Sequence, residues 1–259
     1  MLTKLSSGVD GAWCAIPGVA GFSTAFSKIA KEFQERGHAL NAFEATRYLA
    51  SRSNALDVAE IAQGFIDTVA QENVRLKGVM GHSFGGRIAF EAALRLESTM
   101  PGLPLVLLDA VPAGYVAHGK ESVDRRSDLS LLRWLIDSMP AIASRVGSFD
   151  SAEVAIAQLV KLRVYRECEL RQLLETIQCQ VDLHAMYRPA RKLSADTCVV
   201  LICGRSSGLG LLDEETLGTV MSAWCDRYKL VRVDGDHMSM LHAAKDIFEA
   251  SEVNAHFPR

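Results

Sequence analysis

Short, wholly apolar runs alternate along this chain with longer stretches in which apolar residues recur every three or four positions, the order expected of an α/β protein. Residues 13–16 predict a strand that Pro17-Gly18 stops. Phe22, Phe26, Ile29 and Phe33 then share one face of a predicted helix, which Gly37 ends. Residues 39–43 predict a weaker second strand, and Val58, Ile61, Phe65 and Val69 recur at helical spacing. The strand signal at Gly78-Val79-Met80 leads through Gly81-His82-Ser83-Phe84-Gly85-Gly86 into an apolar helical run at 88–96. Residues 103–108 form a strongly apolar strand candidate ending at Asp109, and 197–203 and 229–233 predict two more.

Between Ala113 and Leu193 the strand signals stop. Helical spacing continues in Leu129, Leu132, Leu135 and Met139, in Ile156, Leu159 and Leu162, and in Leu170, Leu173 and Ile177. A crossover between parallel strands needs only one helix, so three predict an insertion, at about 115–192, of the kind that forms a lid over a site. An additional helical layer on the sheet is the plainer alternative.

Composition narrows the picture. At 259 residues with 49% hydrophobic and 23% charged positions, a single globular domain with a large core is expected. Twenty-eight basic against thirty-one acidic side chains leave no positive excess for a nucleic-acid backbone, so nucleic acid is not an expected partner. No run of eighteen apolar residues predicts a membrane span, and the first residues lack the basic start and apolar stretch of a signal peptide. A cytoplasmic protein without membrane association is expected. The six cysteines contain no C-x-x-C pair, which predicts reduced, mostly buried thiols and no metal site.

The chemistry is concentrated at a few positions. Gly81-x-Ser83-x-Gly85 fits a nucleophile elbow, the tight strand-to-helix turn that exposes a serine hydroxyl. Gly204-x-Ser206-x-Gly208 matches the same spacing, but no helix follows it directly and too little chain remains for an acid and a histidine. Ser83 is therefore the predicted nucleophile. A serine needs a base, and the base a partner that fixes its tautomer. Among seven histidines, His237 follows a predicted strand and precedes a predicted helix, where catalytic residues of open α/β sheets collect. It is the predicted base, with His242 second. His82 is expected to pack or line a pocket, His38, His118 and His184 to face solvent, and His256 to lie in a terminal tail.

Two carboxylates compete as the orienting acid. Asp109 stands where its strand ends, whereas Asp213 lies ten residues past Cys203 beside Glu214 and Glu215, a place typical of a helix cap. Asp109 is preferred. An oxyanion hole needs two backbone N–H donors, one from the residue after the nucleophile, here Phe84. The second is expected from the loop Ile16-Pro17-Gly18-Val19-Ala20-Gly21, from Val19 or alternatively Ala20. That loop lacks the endings of phosphate-binding loops.

Ile-Pro-Gly-Val-Ala-Gly (16–21), Gly-His-Ser-Phe-Gly-Gly (81–86), Leu-Leu-Asp (107–109) and Gly-Asp-His-Met-Ser-Met-Leu (235–241) together resemble the thioesterase domains that terminate nonribosomal peptide, polyketide and fatty acid synthases. The resemblance spans nearly the whole chain. It implies the α/β-hydrolase fold, a mostly parallel sheet flanked by helices with a helical lid. These domains place the acid after the strand that follows the elbow helix, where Asp109 stands, while the site usual in other α/β-hydrolases holds Gly204-Arg205-Ser206-Ser207. The implied activity is release of an acyl, polyketide or peptidyl chain from the phosphopantetheine arm of a carrier protein, by hydrolysis or cyclisation, with no cofactor held by this chain. A free-standing carboxylesterase or lipase acting on small esters is the alternative. Carrier proteins of such synthases are acidic, and residues 161–192 hold seven Lys or Arg against four acids, an excess that suits such a partner.

Overall fold

The structure, a computed structural model, describes residues 2–8, 11–51, 57–113, 127–137 and 140–255. Met139, His118 and His256 lie outside them. Seven strands among the described residues form one sheet: β1 (Thr3–Lys4), β2 (Ala12–Ile16), β3 (Ala39–Ala42), β4 (Leu76–His82), β5 (Leu105–Leu108), β6 (Val199–Gly204) and β7 (Tyr228–Val233), ordered β1-β3-β2-β4-β5-β6-β7. All pairings are parallel except that of the edge strand β1 with β3. The elbow strand β4 lies between β2 and β5.

Helices cover both faces, which is why the central strands are continuous apolar runs without alternation. Successive side chains nonetheless go to opposite layers. Leu105, Leu107, Val199 and Leu201 pack with Ile61 and Phe65 of α3 (Val58–Gln71) and with Ile88 of α4 (Phe84–Leu96), while Val106, Leu108, Val200 and Ile202 pack with Ile29 and Phe33 of α1 (Ser27–Glu35) and Ile247 and Phe248 of α10 (Ala244–Ala255). The first helical segment begins as a 3-10 turn at Ser23–Phe26. Phe22, expected on its buried face, precedes that turn and is exposed. Asp57 caps α3 in a reciprocal box with Glu60.

Two helices carry little periodic signal: α2 (Ala45–Ala50) and α9 (Glu214–Ser222). Asp213 caps α9, its carboxylate accepting from Thr216 N–H at 2.7 Å and held below its usual range by that bond. Between β5 and β6 run four described helices rather than three: α5 (Asp128–Asp137), the short α6 (Pro140–Ala143), α7 (Ala152–Lys161) and α8 (Glu167–Met186). They build their own apolar cluster from Leu131, Leu132, Leu135, Ile156, Leu159, Leu170, Leu174 and Ile177, and Ala20 of the β2–α1 loop joins it. No described helix is long and apolar enough to cross a membrane.

Candidate active site

The turn from β4 into α4 leaves Ser83 at φ 53°, ψ −122°, a region nearly closed to residues with a β-carbon. The turn is over-determined from both sides: Ser83 N–H donates to Leu108 O at 3.1 Å and Gly86 N–H to Ser83 O at 3.0 Å. A β-carbon at Gly81 would lie 2.3 Å from Gly85 O, and one at Gly85 would lie 2.1 Å from Ile16 O, so both positions need glycine for close backbone approach. Strain of this kind gathers here. Ser83, Asp109 (φ 47°) and Ala20 (φ 49°) are three of the five described non-glycine residues with positive φ.

Asp109 follows β5, the strand beside β4, and is buried. Its Oδ2 lies 2.5 Å from His237 Nδ1, while its Oδ1 accepts from the Ser207 hydroxyl at 2.5 Å. A carboxylate that accepts on both oxygens requires the imidazole to donate, which puts the proton on Nδ1 and leaves Nε2 basic. The Asp109 side chain is 3% exposed and the His237 ring 45%, a carboxyl sealed in protein beside an imidazole open to solvent. Asp236 holds the His237 loop: its Oδ1 accepts from Met238 N–H at 2.9 Å and Ser239 N–H at 2.7 Å, and the Ser239 bonds keep its carboxyl below the usual range.

His82 is fully buried. Its Nε2–H donates to the His237 carbonyl at 2.7 Å and the two rings lie 4.6 Å apart, so it anchors the His237 loop as well as packing there. Burial, with the nearby His237 charge, pushes its pKa down to about 3, so it stays neutral near pH 7. Among the described residues the Ser83 hydroxyl makes no hydrogen bond to His237; such contacts commonly tighten only with substrate present.

The loop after β2 reaches the same place, since a β-carbon added at Gly18 would stand 2.9 Å from that of Ser83. Ala20 N–H is committed to Gln180 Oε1 at 2.8 Å, and Gln180 Nε2 donates to Thr46 Oγ1 at 2.9 Å. The Val19 and Phe84 N–H groups have no acceptor among the described residues. Of the two loop positions weighed as oxyanion donors, Val19 is thus the free one, and Phe84 opens α4, where the helix dipole also favours negative charge.

The other candidates sort themselves by surroundings. Ser206 and His242 are exposed. His38 does not face solvent but packs against Phe33 and Phe248, and the His184 ring lies against Phe84. Cys203, beside Asp109, is pushed up to about 12 by burial and by that carboxylate, so its thiol stays neutral. No group of three or more His, Cys, Asp or Glu among the described residues is arranged to hold a metal. Sequence reading missed Ser207, Gln180 and Thr46. Only Gln180 left a signal, as a polar residue on the stripe of Leu170, Leu174 and Ile177.

A family model described as "Thioesterase domain" matches residues 13–253. No curated protein sequence matches the chain. Among solved structures, a holo four-domain nonribosomal peptide synthetase, AB3403, bound to AMP and glycine is 18% identical with a TM-score of 0.69, covering 100% of this chain and 20% of its own. This chain thus spans a fifth of that synthetase. The type II thioesterase YbtT of the yersiniabactin pathway is 18% identical, with a TM-score of 0.65, covering 100% of this chain and 98% of its own. The thioesterase domain NocB, in covalent complex with a fluorophosphonate nocardicin G analogue, is 16% identical with a TM-score of 0.62, covering 97% of this chain and 99% of its own. At these identities the structural likeness establishes the fold.

Proposed function

Since the chain belongs to the thioesterase domain family, we propose that it is a serine thioesterase that frees an acyl, polyketide or peptidyl chain from the phosphopantetheine arm of a carrier protein. The observation that carries this reading is the Asp109–His237 contact at 2.5 Å, on the sheet edge where the strained Ser83 turn also lies.

Ser83 Oγ attacks the thioester carbonyl while His237 Nε2 takes its proton. The carbonyl oxygen becomes the oxyanion and receives the Val19 and Phe84 N–H groups. Collapse breaks the C–S bond, and the proton on His237 goes to the leaving thiolate, giving a Ser83 ester and free thiol. Water, or a nucleophile within the chain itself, then loses a proton to His237, attacks the ester and releases acid or ring, and Ser83 recovers its proton. Asp109 stays ionised throughout and holds the imidazole.

The test is intact-protein mass spectrometry during turnover of a panel of acyl-pantetheine and acyl-carrier thioesters. Wild type should gain the acyl mass on Ser83, and Ser83→Ala should gain none while keeping its fold. Asp109→Asn should lose about 10⁴-fold in kcat, whereas Asp213→Asn should stay near wild type because that carboxylate serves only the α9 cap. Turnover of simple aryl esters with no thioester turnover would instead mark a carboxylesterase or lipase, and acylation of the Ser83 variant would end the assignment.

A further inference from the structure

Gln180 is a polar side chain with no solvent exposure, on a helix of the segment inserted between β5 and β6. Its neighbours on the same stripe, Leu170, Leu174 and Ile177, pack in the apolar cluster of that segment. A glutamine in such a place is retained at a cost unless its amide is satisfied. Here both ends are: Oε1 accepts from Ala20 N–H and Nε2 donates to Thr46 Oγ1, partners 160 and 134 residues away in the chain. A backbone N–H only donates, so the oxygen must face Ala20 and the amide has one orientation.

Ala20 is held twice by the inserted helices, its N–H by Gln180 and its methyl group within the cluster of Leu131, Leu132, Leu135 and Leu159. It also sits at φ 49°, which a residue with a β-carbon keeps only under such constraint. Were the Ala20 N–H released, the loop would lose one of the two contacts that hold it in this conformation. Val19, the adjacent residue, supplies the uncommitted N–H.

We infer that Gln180 is a positioning residue for acyl transfer: by fixing Ala20 it sets Val19 N–H toward the thioester oxyanion, so the oxyanion hole is complete only while α8 is seated on the loop. This rests on the serine thioesterase reading above. It makes the inserted helices part of the catalytic apparatus.

Gln180→Met keeps the volume and removes both hydrogen bonds. Deleting an oxyanion donor outright costs about 10²–10³ in kcat; misplacing one should cost about 10- to 100-fold, with KM for a hexanoyl N-acetylcysteamine thioester within about threefold. An alkyl trifluoromethyl ketone, whose serine adduct carries the oxyanion, should bind the variant more weakly by the same factor as kcat/KM falls, which loss of packing alone would not produce. Gln180→Glu keeps an oxygen toward Ala20, and the Thr46 hydroxyl can turn to donate to it, so this variant should recover most of the rate. Gln180→Asn, too short to reach Ala20, repeats the loss should the Met variant fail to fold.

Folded Met and Asn variants with wild-type kcat and ketone affinity would overturn the assignment, as would a folded Glu variant as impaired as they are. Those results would leave the thioesterase reading intact as long as wild type is labelled on Ser83 by a fluorophosphonate and turns over the thioester. A wild type that does neither would remove both.

Discussion

His82 shows how much a single side chain next to Ser83 is asked to do. Its buried ring donates to the His237 carbonyl, and burial, with the nearby His237, pushes its pKa down to about 3, well under the usual histidine value of 6.5. Between these values the unfolded chain binds a proton at this position and the folded chain does not. Stability from this group is therefore complete above about pH 6.5 and is lost as pH falls toward 3, at a slope approaching about 1.4 kcal/mol per pH unit. Urea denaturation of wild type and His82→Gln across pH 4 to 7 should give a visibly flatter stability profile for the variant. A His82→Leu variant, which has no side-chain N–H to donate to the His237 carbonyl, should also lose turnover. An unchanged slope would mean that His82 is not buried neutral.

At the scale of elements, the elbow and the loop after β2 act as one unit because the glycines let backbones touch. Ile16 O and Pro17 O lie 2.1 and 2.4 Å from where a Gly85 β-carbon would stand, and neither belongs to a flexible side chain that can yield. Gly85→Ala must push the loop bearing Val19 away from Ser83. Overpacking of this sort costs about 1–3 kcal/mol of stability, and kcat should fall further than that stability loss explains. Thermal melting combined with steady-state kinetics on the folded fraction checks this; a folded Ala variant with normal kcat would show that loop and elbow are not coupled. The 2.7 Å bond from Glu60 N–H to Asp57 belongs to the same scale but serves only α3, and its loss should leave kcat alone.

For the molecule as a whole, the basic excess of residues 161–192 is smaller in three dimensions than along the chain. Arg166, Arg171, Arg191 and Lys192 are paired with Glu169, Glu167, Glu97 and Asp226, two of these acids lying outside the segment. Charge steering toward an acidic carrier protein should therefore be modest. We expect kcat/KM for an acyl-carrier substrate to fall about threefold between low and physiological salt, and that of the same acyl group on N-acetylcysteamine to stay constant. Equal salt responses of the two substrates would remove steering from the account.

The inner strands were legible because each is buried on both faces, so residues 105–108 and 199–203 are apolar throughout and need no partner to be recognised. The elbow was legible too, since a local turn dictates local glycines and Ser83, Phe84, Gly85 and Gly86 are consecutive. Chain order pointed to His237 and favoured Asp109 over Asp213, but a sequence holds no distance, and the 2.5 Å contact exists only because β5, β6 and β7 lie side by side. The edge strand β1 and helix α2 are too short to show a period. The partners of Gln180 and Ser207 were decided by tertiary structure alone: they lie 160 and 98 residues away, and a buried hydrogen bond across such a separation imposes no spacing on the chain that makes it.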